Sequence, residues 1–190
     1  MKKALLVIDA QKIYSLKNSD YHVDGVKEIV ARINGLIDIF QRENEFIVYI
    51  RHEHALDGSD SGRMFDFTGE EGDIEFKKDS EQTEFIDDLK IIEGYPILTK
   101  TRYDAFISTP LNAVLEQNGI ERVVVCGFMT NFCCESTARH AHDVDYFVDF
   151  VSDATGTPGT EQLSPEETVQ ATLATLESGY ATIVSTSDFE

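Results

Sequence analysis

The chain has 190 residues, of which 42% are hydrophobic and 27% are charged, values that are ordinary for a single globular domain. Its formal net charge of −19 excludes sequence-independent binding to nucleic acid, which needs clustered lysine and arginine, and disfavours anionic membrane surfaces. No apolar run approaches the length of a membrane span, and the segment after Met1 lacks the pattern of a signal peptide. Three cysteines, two of them adjacent, do not suggest a disulfide framework. We therefore expect a cytoplasmic protein with reduced thiols.

Short buried strands and amphipathic helices alternate along the chain. Apolar runs rich in β-branched residues predict six strands, at residues 3–8, 46–50, 97–99, 122–126, 146–151 and 181–184. Apolar residues at helical spacing, together with capping residues, predict helices over residues 23–42, 81–92, 109–118, 133–142 and 164–178. This alternation predicts an α/β fold: one domain over residues 1–190, built on a doubly wound, Rossmann-like sheet of about six parallel strands with helices on both faces.

The segment 51–80 differs from the rest of the chain because it shows little periodicity and is rich in Gly, Ser and Asp. A loop of this length inside a compact domain is usually functional. His52 and His54 alternate at the end of a predicted strand, so they are weak candidates for a shared metal ion. Two imidazoles are too few to predict a metal site. We therefore expect polar loop residues there, with no metal and no cofactor.

The stretch 127–139 contains the main chemical clue in the sequence. A run of valines precedes it and predicts a strand, a glycine ends that strand, and a pattern typical of a helix follows. Cys133 falls in the turn or the first helical turn, where free backbone N–H groups and the helix dipole favour the thiolate, which is the nucleophilic form. The alternative for this stretch alone is that Cys133 and its neighbour Cys134 are inert, buried thiols.

Two further groups with useful chemistry stand at the carboxyl ends of predicted strands. Asp9 follows the first strand and Lys100 follows the third, as the Cys133 turn follows the fourth. In a parallel sheet these ends share one edge, where ligands bind. A cysteine nucleophile needs a base to take its proton or a cation to lower its pKa, and Asp9 and Lys100 supply one of each. The alternative is a buried Asp–Lys pair that serves only the fold.

Three motifs make the chain resemble the isochorismatase-like cysteine hydrolases, from about residue 3 to residue 186. The first is Asp9 followed by Gln11 and an aromatic residue, and the second is Lys-x-Arg-Tyr-x-Ala-Phe beginning at Lys100. The third is Gly-x-x-Thr-Asn-x-Cys-x-Glu-x-Thr-Ala-Arg beginning at Gly127. The three motifs occur in the family's order at plausible spacing, which makes them together more specific than any one alone.

The resemblance implies a catalytic triad of Asp9, Lys100 and Cys133. Cys133 matches the nucleophile rather than Cys134 because it stands six residues after the motif's first glycine. The resemblance also implies a cis peptide bond between Phe128 and Met129, and an oxyanion hole formed by the backbone N–H groups of Met129 and Cys133. Homo-oligomerisation, as a dimer or a tetramer, is a further expectation from the family.

The implied chemistry is acyl transfer, in which Asp9 takes the thiol proton and Cys133 attacks a carbonyl carbon. We therefore predict a cysteine-dependent hydrolase that cleaves a C–N bond of a small amide, ureido or carbamoyl compound through a thioester. Arg102 is a candidate for holding a substrate carboxylate by a bidentate pair. The full set of candidate substrate-binding residues is Gln11, Tyr14, Arg102, Tyr103 and Phe106.

Two branches of the family fit the sequence less well. Members of the nicotinamidase branch carry the motif Asp-x-His at the end of the second strand and bind a metal there. At the matching positions this chain has His52, Glu53 and His54. The true isochorismatase branch cleaves a vinyl ether and lacks the nucleophilic cysteine. The alternatives that remain are a nicotinamidase-like amidase, an isochorismatase-type vinyl-ether hydrolase, a non-catalytic ligand-binding protein, and a redox protein that uses Cys133 and Cys134.

Overall fold

One six-stranded sheet forms the centre of the molecule in the computed structural model, which describes residues 1–69, 72 and 74–190. The strands are β1 (Lys3–Ile8), β2 (Phe46–His52), β3 (Ile97–Lys100), β4 (Arg122–Phe128), β5 (Phe147–Gly156) and β6 (Thr182–Val184). They lie in the order β3-β2-β1-β4-β5-β6, and every neighbouring pair is parallel. The predicted α/β sheet of six parallel strands is therefore confirmed.

Within the described part of the chain, four α-helices cover the two faces of the sheet: α1 (Val26–Arg42), α2 (Leu111–Gln117), α3 (Glu135–Asp143) and α4 (Pro165–Glu177). The apolar face of α1 packs in one hydrophobic cluster with the strand residues that point to its side. Helices α2, α3 and α4 contribute to a second cluster on the opposite face. Successive residues of each strand feed the two clusters alternately, so Leu5 belongs to the first and Leu6 to the second.

The sheet order places a topological switch point between β1 and β4. The chain winds outward from β1 through β2 to β3, and then returns to add β4, β5 and β6 on the other side. Loops that follow β1 and β4 therefore diverge to opposite faces and leave a crevice beyond the carboxyl ends of these strands. Asp9 follows β1 at this crevice, and the Cys133 turn follows β4.

The prediction of a helix over residues 81–92 was wrong. Only Glu81–Thr83 is helical, as a single 3-10 turn. The segment after it is held by contacts to the loop that follows β1, since Lys12 N–H donates to the carbonyl of Glu84 and Ile86 N–H donates to the carbonyl of Ala10. Phe85, Ile86 and Leu89 still pack on the first hydrophobic cluster, so their spacing reflected burial and not helix periodicity.

The long segment after β2 is anchored back to the end of that strand. His54 N–H donates to the carbonyl of Phe76, and Lys78 N–H donates to the carbonyl of His54, each at 2.8 Å. The described residues of the intervening chain, 55–69, 72, 74 and 75, form a flap over the crevice that contains turns rather than helices or strands. None of the described helices is long and apolar enough to cross a membrane.

Candidate active site

The turn after β4 has an unusual backbone that fixes the position of Cys133. Gly127 has a φ of +117°, and a Cβ atom there would lie only 1.9 Å from the carbonyl oxygen of Ile8, so only glycine fits between β4 and β1. The peptide bond between Phe128 and Met129 is cis, at the position that the resemblance implies. A π-helical turn, Thr130–Cys134, then leads into α3, and Cys134 N–H donates to the carbonyl of Met129 at 3.2 Å.

Lys100 joins the other two predicted catalytic side chains. Its Nζ lies 2.7 Å from Asp9 Oδ2 and donates to Cys133 Sγ at 3.2 Å. A third bond, to the carbonyl oxygen of Arg102 at 2.9 Å, orients the ammonium group. Lys100 ends the edge strand β3, so its side chain extends past β2 to reach Asp9 at the end of β1. All three groups are buried.

Asp9 is a buried carboxylate with few partners. Apart from the Lys100 ammonium and the Cys133 thiol, no described donor reaches its oxygens. Burial raises the pKa of Asp9 above its ordinary value of 3.8, against the opposing effect of the Lys100 charge. The residue itself adopts the left-handed region at a φ of +48°. Asp9 is therefore a stronger base than an exposed aspartate and is placed to accept the thiol proton.

Cys133 lies in a buried environment that disfavours the charged form of its thiol. Burial raises its pKa to about 12, with Lys100 lowering it and Asp9 raising it by smaller amounts. The expectation that the turn lowers the pKa of this thiol was therefore wrong, because desolvation outweighs the helix terminus. Cys134 is fully buried and its pKa is raised further. A nucleophile at this turn needs a base, and Asp9 is the base in reach.

A cavity of about 290 Å³ opens onto the Cys133 side chain. Most of its walls are aromatic, and the lining residues are Tyr14, Tyr21, His52, Met64, Phe65, Phe67, Gly72, Phe76, Tyr103, Met129, Phe132 and Cys133. Of the five predicted substrate-binding residues, only Tyr14 and Tyr103 are among them. Tyr14 is buried against Phe128, with stacked rings 5.2 Å apart, whereas Tyr103 is partly exposed at the mouth.

The other three predicted substrate-binding residues lie outside the lining of this cavity. The Gln11 side chain clamps the backbone of His52, accepting from its N–H at 2.8 Å and donating to its carbonyl at 2.9 Å. The Arg102 guanidinium donates to the carbonyl oxygens of Asp60 and Thr101, so it ties its own loop to the flap, and its role in holding a substrate carboxylate stays a prediction. The ring of Phe106 is stacked on the imidazole of His140, 4.7 Å away between centroids.

The weak metal candidates, His52 and His54, are neighbours, with their Nε2 atoms 2.8 Å apart. That separation is a hydrogen-bond distance, whereas tetrahedral zinc would hold two imidazole nitrogens about 3.3 Å apart. Asp9, His52 and Cys133 also offer ligand atoms within 4.8 Å of one another. The Lys100 ammonium already contacts two of these three groups, so a metal ion fits this site poorly.

The sequence interpretation missed most of the cavity wall. Met64, Phe65, Phe67 and Phe76 come from the segment that was expected to be a polar loop, and Tyr21 and Phe132 were not singled out. The one pattern that could have indicated them is the occurrence of large apolar residues in a segment otherwise rich in Gly, Ser and Asp. Large apolar residues favour burial, and the crevice at the edge of the sheet provides it for Met64 and Phe76, whereas Phe67 lines the cavity while remaining exposed.

Comparison with known proteins identifies the family. A family model described as the isochorismatase domain matches residues 3–188. The chain belongs to the isochorismatase family. It is 33% identical to nicotinamidase 3 of Arabidopsis thaliana, over 95% of this chain and 83% of that protein. It is 27% identical to a ureidoacrylate amidohydrolase of Caulobacter segnis, over 98% of this chain and 84% of that protein.

Solved structures of the isochorismatase family share the fold over nearly the whole chain. A cysteine hydrolase from Pseudomonas syringae pv. phaseolicola superposes with a TM-score of 0.88 at 28% identity, covering 98% of this chain and 90% of that one. An isochorismatase family protein from Desulfovibrio vulgaris gives a TM-score of 0.85 at 25% identity, covering 98% and 95%. This chain is therefore an isochorismatase-family hydrolase.

Proposed function

We propose that this protein is a cysteine hydrolase that cleaves the C–N bond of a small amide, ureido or carbamoyl compound through a thioester on Cys133. The observation that carries the proposal is the contact of one buried ammonium, that of Lys100, with both Asp9 and Cys133. These two residues lie beyond the carboxyl ends of β1 and β4. Relatives named nicotinamidase and ureidoacrylate amidohydrolase support an amide-type substrate.

The first half of the reaction makes the thioester. Asp9 takes the proton from the Cys133 thiol, and the resulting thiolate is stabilised by Lys100, 3.2 Å away. The sulfur attacks the carbonyl carbon, and the carbonyl oxygen becomes an oxyanion. The N–H groups of Met129 and Cys133 donate hydrogen bonds to that oxyanion, an effect worth about 3–4 kcal/mol for each donor in comparable sites. Met129 N–H makes no backbone hydrogen bond to the described residues, which leaves it available.

The second half of the reaction releases the products. The tetrahedral intermediate breaks at its C–N bond, and Asp9 gives the proton to the leaving amine or ammonia. Water then attacks the thioester carbonyl while Asp9 takes one of its protons. The C–S bond breaks, the carboxylic acid leaves, and the sulfur regains the proton from Asp9. Each proton thus moves through the carboxylate of Asp9. Its raised pKa suits both accepting a proton and donating it again.

Ammonia release from a panel of small amides, ureas and carbamoyl compounds tests the proposal. We expect turnover by the wild type and by Cys134→Ala, and a loss of at least about 10³-fold in Cys133→Ala. Cys134 is the matched control because it is the adjacent thiol and equally buried. Ammonia release at the wild-type rate by Cys133→Ala would remove this sulfur from the mechanism.

A further inference from the structure

A buried hydrogen-bond network links the flap to the cavity that opens onto Cys133. The carboxylate of Asp60, on the flap, lies 3.0 Å from His54 Nδ1 and also accepts from the backbone N–H of Ala55. His54 Nε2 lies 2.8 Å from Nε2 of His52, whose side chain lines the cavity. Both imidazoles are only 1% exposed, so solvent does not compete for the contact between them.

The order of donors and acceptors in this network determines which nitrogen of each ring carries a hydrogen. A carboxylate only accepts, so His54 must carry its hydrogen on Nδ1 and offers a lone pair at Nε2. His52 must then donate from Nε2, which leaves its own Nδ1 as an acceptor. Burial lowers the pKa of both imidazoles, which favours the neutral rings that this order requires.

The acceptor on His52 belongs to a cavity wall that is otherwise mostly aromatic. The imidazole is itself stacked on Phe76, with centroids 4.5 Å apart and planes at 17°. Among the described residues, none donates a hydrogen bond to its Nδ1. A buried acceptor is costly unless a donor reaches it, so a molecule in the cavity is needed to supply that donor.

The position of His52 suits a water molecule beside the nucleophile. One of its ring nitrogens lies within 4.8 Å of a carboxylate oxygen of Asp9 and of Cys133 Sγ. A water molecule that donates to two acceptors at ordinary hydrogen-bond lengths holds them about 4.5 Å apart. Asp9 and His52 are therefore spaced to share one water molecule, next to the sulfur that is the proposed site of the acyl group.

We propose that His52 is a further catalytic residue, which positions the water that hydrolyses the thioester, and that His54 and Asp60 are positioning residues that hold its ring in the required tautomer. The inference rests on the proposed thioester for the reaction. The water oxygen forms a bond to the acyl carbon, Asp9 takes one of its protons, and its other hydrogen is donated to His52 Nδ1. The C–S bond then breaks, the sulfur takes the proton from Asp9, and the carboxylic acid leaves with the second hydrogen.

Partitioning of the thioester between water and hydroxylamine tests the role of His52. Hydroxylamine attacks thioesters without the help of a base and gives a hydroxamate, whereas water gives the acid. His52→Phe keeps a flat ring against Phe76 but has no acceptor, so we expect the ratio of hydroxamate to acid to rise by about tenfold or more. A merely structural role for His52, or a role in forming the thioester, would leave the ratio unchanged and would overturn the proposal.

The matched control is His140→Phe. His140 is also an imidazole stacked on a phenylalanine, since the ring of Phe106 lies 4.7 Å from it between centroids, but it does not line the cavity. The same substitution there should leave the ratio of hydroxamate to acid at the wild-type value. An equal rise in His140→Phe and His52→Phe would overturn the proposal.

Two variants of Asp60 test the positioning role. Asp60→Leu removes the acceptor for His54 Nδ1, so His52 is no longer held in one tautomer and the ratio should rise towards that of His52→Phe. Asp60→Asn keeps an acceptor oxygen in the same place and should keep the ratio within about twofold of the wild type. A wild-type ratio in Asp60→Leu would overturn the role of His54 and Asp60.

Nitrogen NMR of histidine-labelled protein tests the network without any substrate. We expect a lone pair on Nδ1 of His52 and on Nε2 of His54, with the signals assigned from His52→Phe and His54→Phe. A hydrogen on Nδ1 of His52 would overturn this inference and leave the proposed hydrolysis intact. Ammonia release at the wild-type rate by Cys133→Ala is a separate result, which would remove the thioester and with it this role for the water.

Discussion

Lys100 is the residue on which the site depends. A lysine in a fully buried position is costly unless its charge is compensated, and here Asp9 raises its pKa despite burial, which by itself would lower it. The same ammonium donates to the sulfur of Cys133. One side chain thus opposes the effect of burial on the pKa of Asp9 and contacts the sulfur that is the proposed nucleophile.

Replacing Lys100 by methionine tests this dual role. We expect Lys100→Met to lower turnover by about 10²-fold or more and to destabilise the fold by about 3–5 kcal/mol near neutral pH, because the buried Asp9 loses its cationic partner. Burial already raises the pKa of Asp9, and losing the ammonium raises it further, so the folded state then binds a proton that the unfolded state lacks. The destabilisation should therefore grow as pH rises above 3.8, the ordinary value.

The double variant Asp9→Asn/Lys100→Met provides the control. It removes both charges, so most of the lost stability should return while activity stays absent. Chemical denaturation at several pH values measures the first quantity and ammonia release measures the second. If the single Lys100→Met variant were as stable as the wild type at neutral pH, the buried ion pair would not have the role described.

For single residues, the sequence predicted which side chains come together at the site, but not how burial changes their pKa values. Asp9, Lys100 and Cys133 were predicted from strand ends and motif spacing, and the structure places them in contact. The direction of the Cys133 pKa shift was wrong, because a sequence pattern does not show the depth of burial. The contact of the Arg102 guanidinium with the Asp60 carbonyl oxygen was not predicted, because Asp60 lies in a flap that has no periodic pattern.

Among the elements, the turn from β4 into α3 is the most constrained. Glycine is required at position 127 both by its φ of +117° and by the approach of the β1 backbone. The sequence predicted a strand, a glycine, a turn and a helix here, and all four occur. It did not predict the π-helical turn Thr130–Cys134, because an extra residue in a helical turn leaves no mark in the hydrophobic spacing.

Two glycine substitutions test the constraint on that turn. Gly127→Ala should destabilise the fold by more than about 3 kcal/mol, since the new Cβ overlaps the Ile8 carbonyl and the φ is unfavourable for alanine. Gly35→Ala, on the exposed face of α1 with no atom within 4 Å, should stabilise by about 0.5–1 kcal/mol through helix propensity. Thermal and denaturant unfolding measure both, and a Gly127→Ala protein of wild-type stability would contradict the assignment.

The elements also show why periodicity succeeded for most of the chain and failed over residues 81–92. In α1 and in β1 the apolar residues face a continuous core, so their spacing follows the geometry of the element. Phe85, Ile86 and Leu89 are instead anchored individually beside the loop after β1. Their spacing resembles that of a helix although no helix is present. The sequence pattern alone does not distinguish a helix face from loop residues that are buried one by one.

For the molecule as a whole, the order of the strands turns separate residues into one site. Because β1 and β4 are neighbours at the switch point, Asp9 and Cys133 come together although they are far apart in sequence. Lys100 ends β3 at the edge of the sheet, and its side chain extends to the same place. Parallel pairing was predictable from the alternation of strands and helices, whereas the order β3-β2-β1-β4-β5-β6 was not, because several orders satisfy the same alternation. The cavity wall depends on the flap, which has no periodic pattern.

Mass spectrometry of the acid-quenched enzyme is the sharpest test for a thioester on Cys133. During turnover of the best amide of the panel, we expect a mass increase equal to the acyl group, located on the peptide that contains Cys133 and Cys134. The adduct should persist in Cys134→Ala and be absent from Cys133→Ala. Continued turnover in Cys133→Ala with no adduct in any of the proteins would contradict the account.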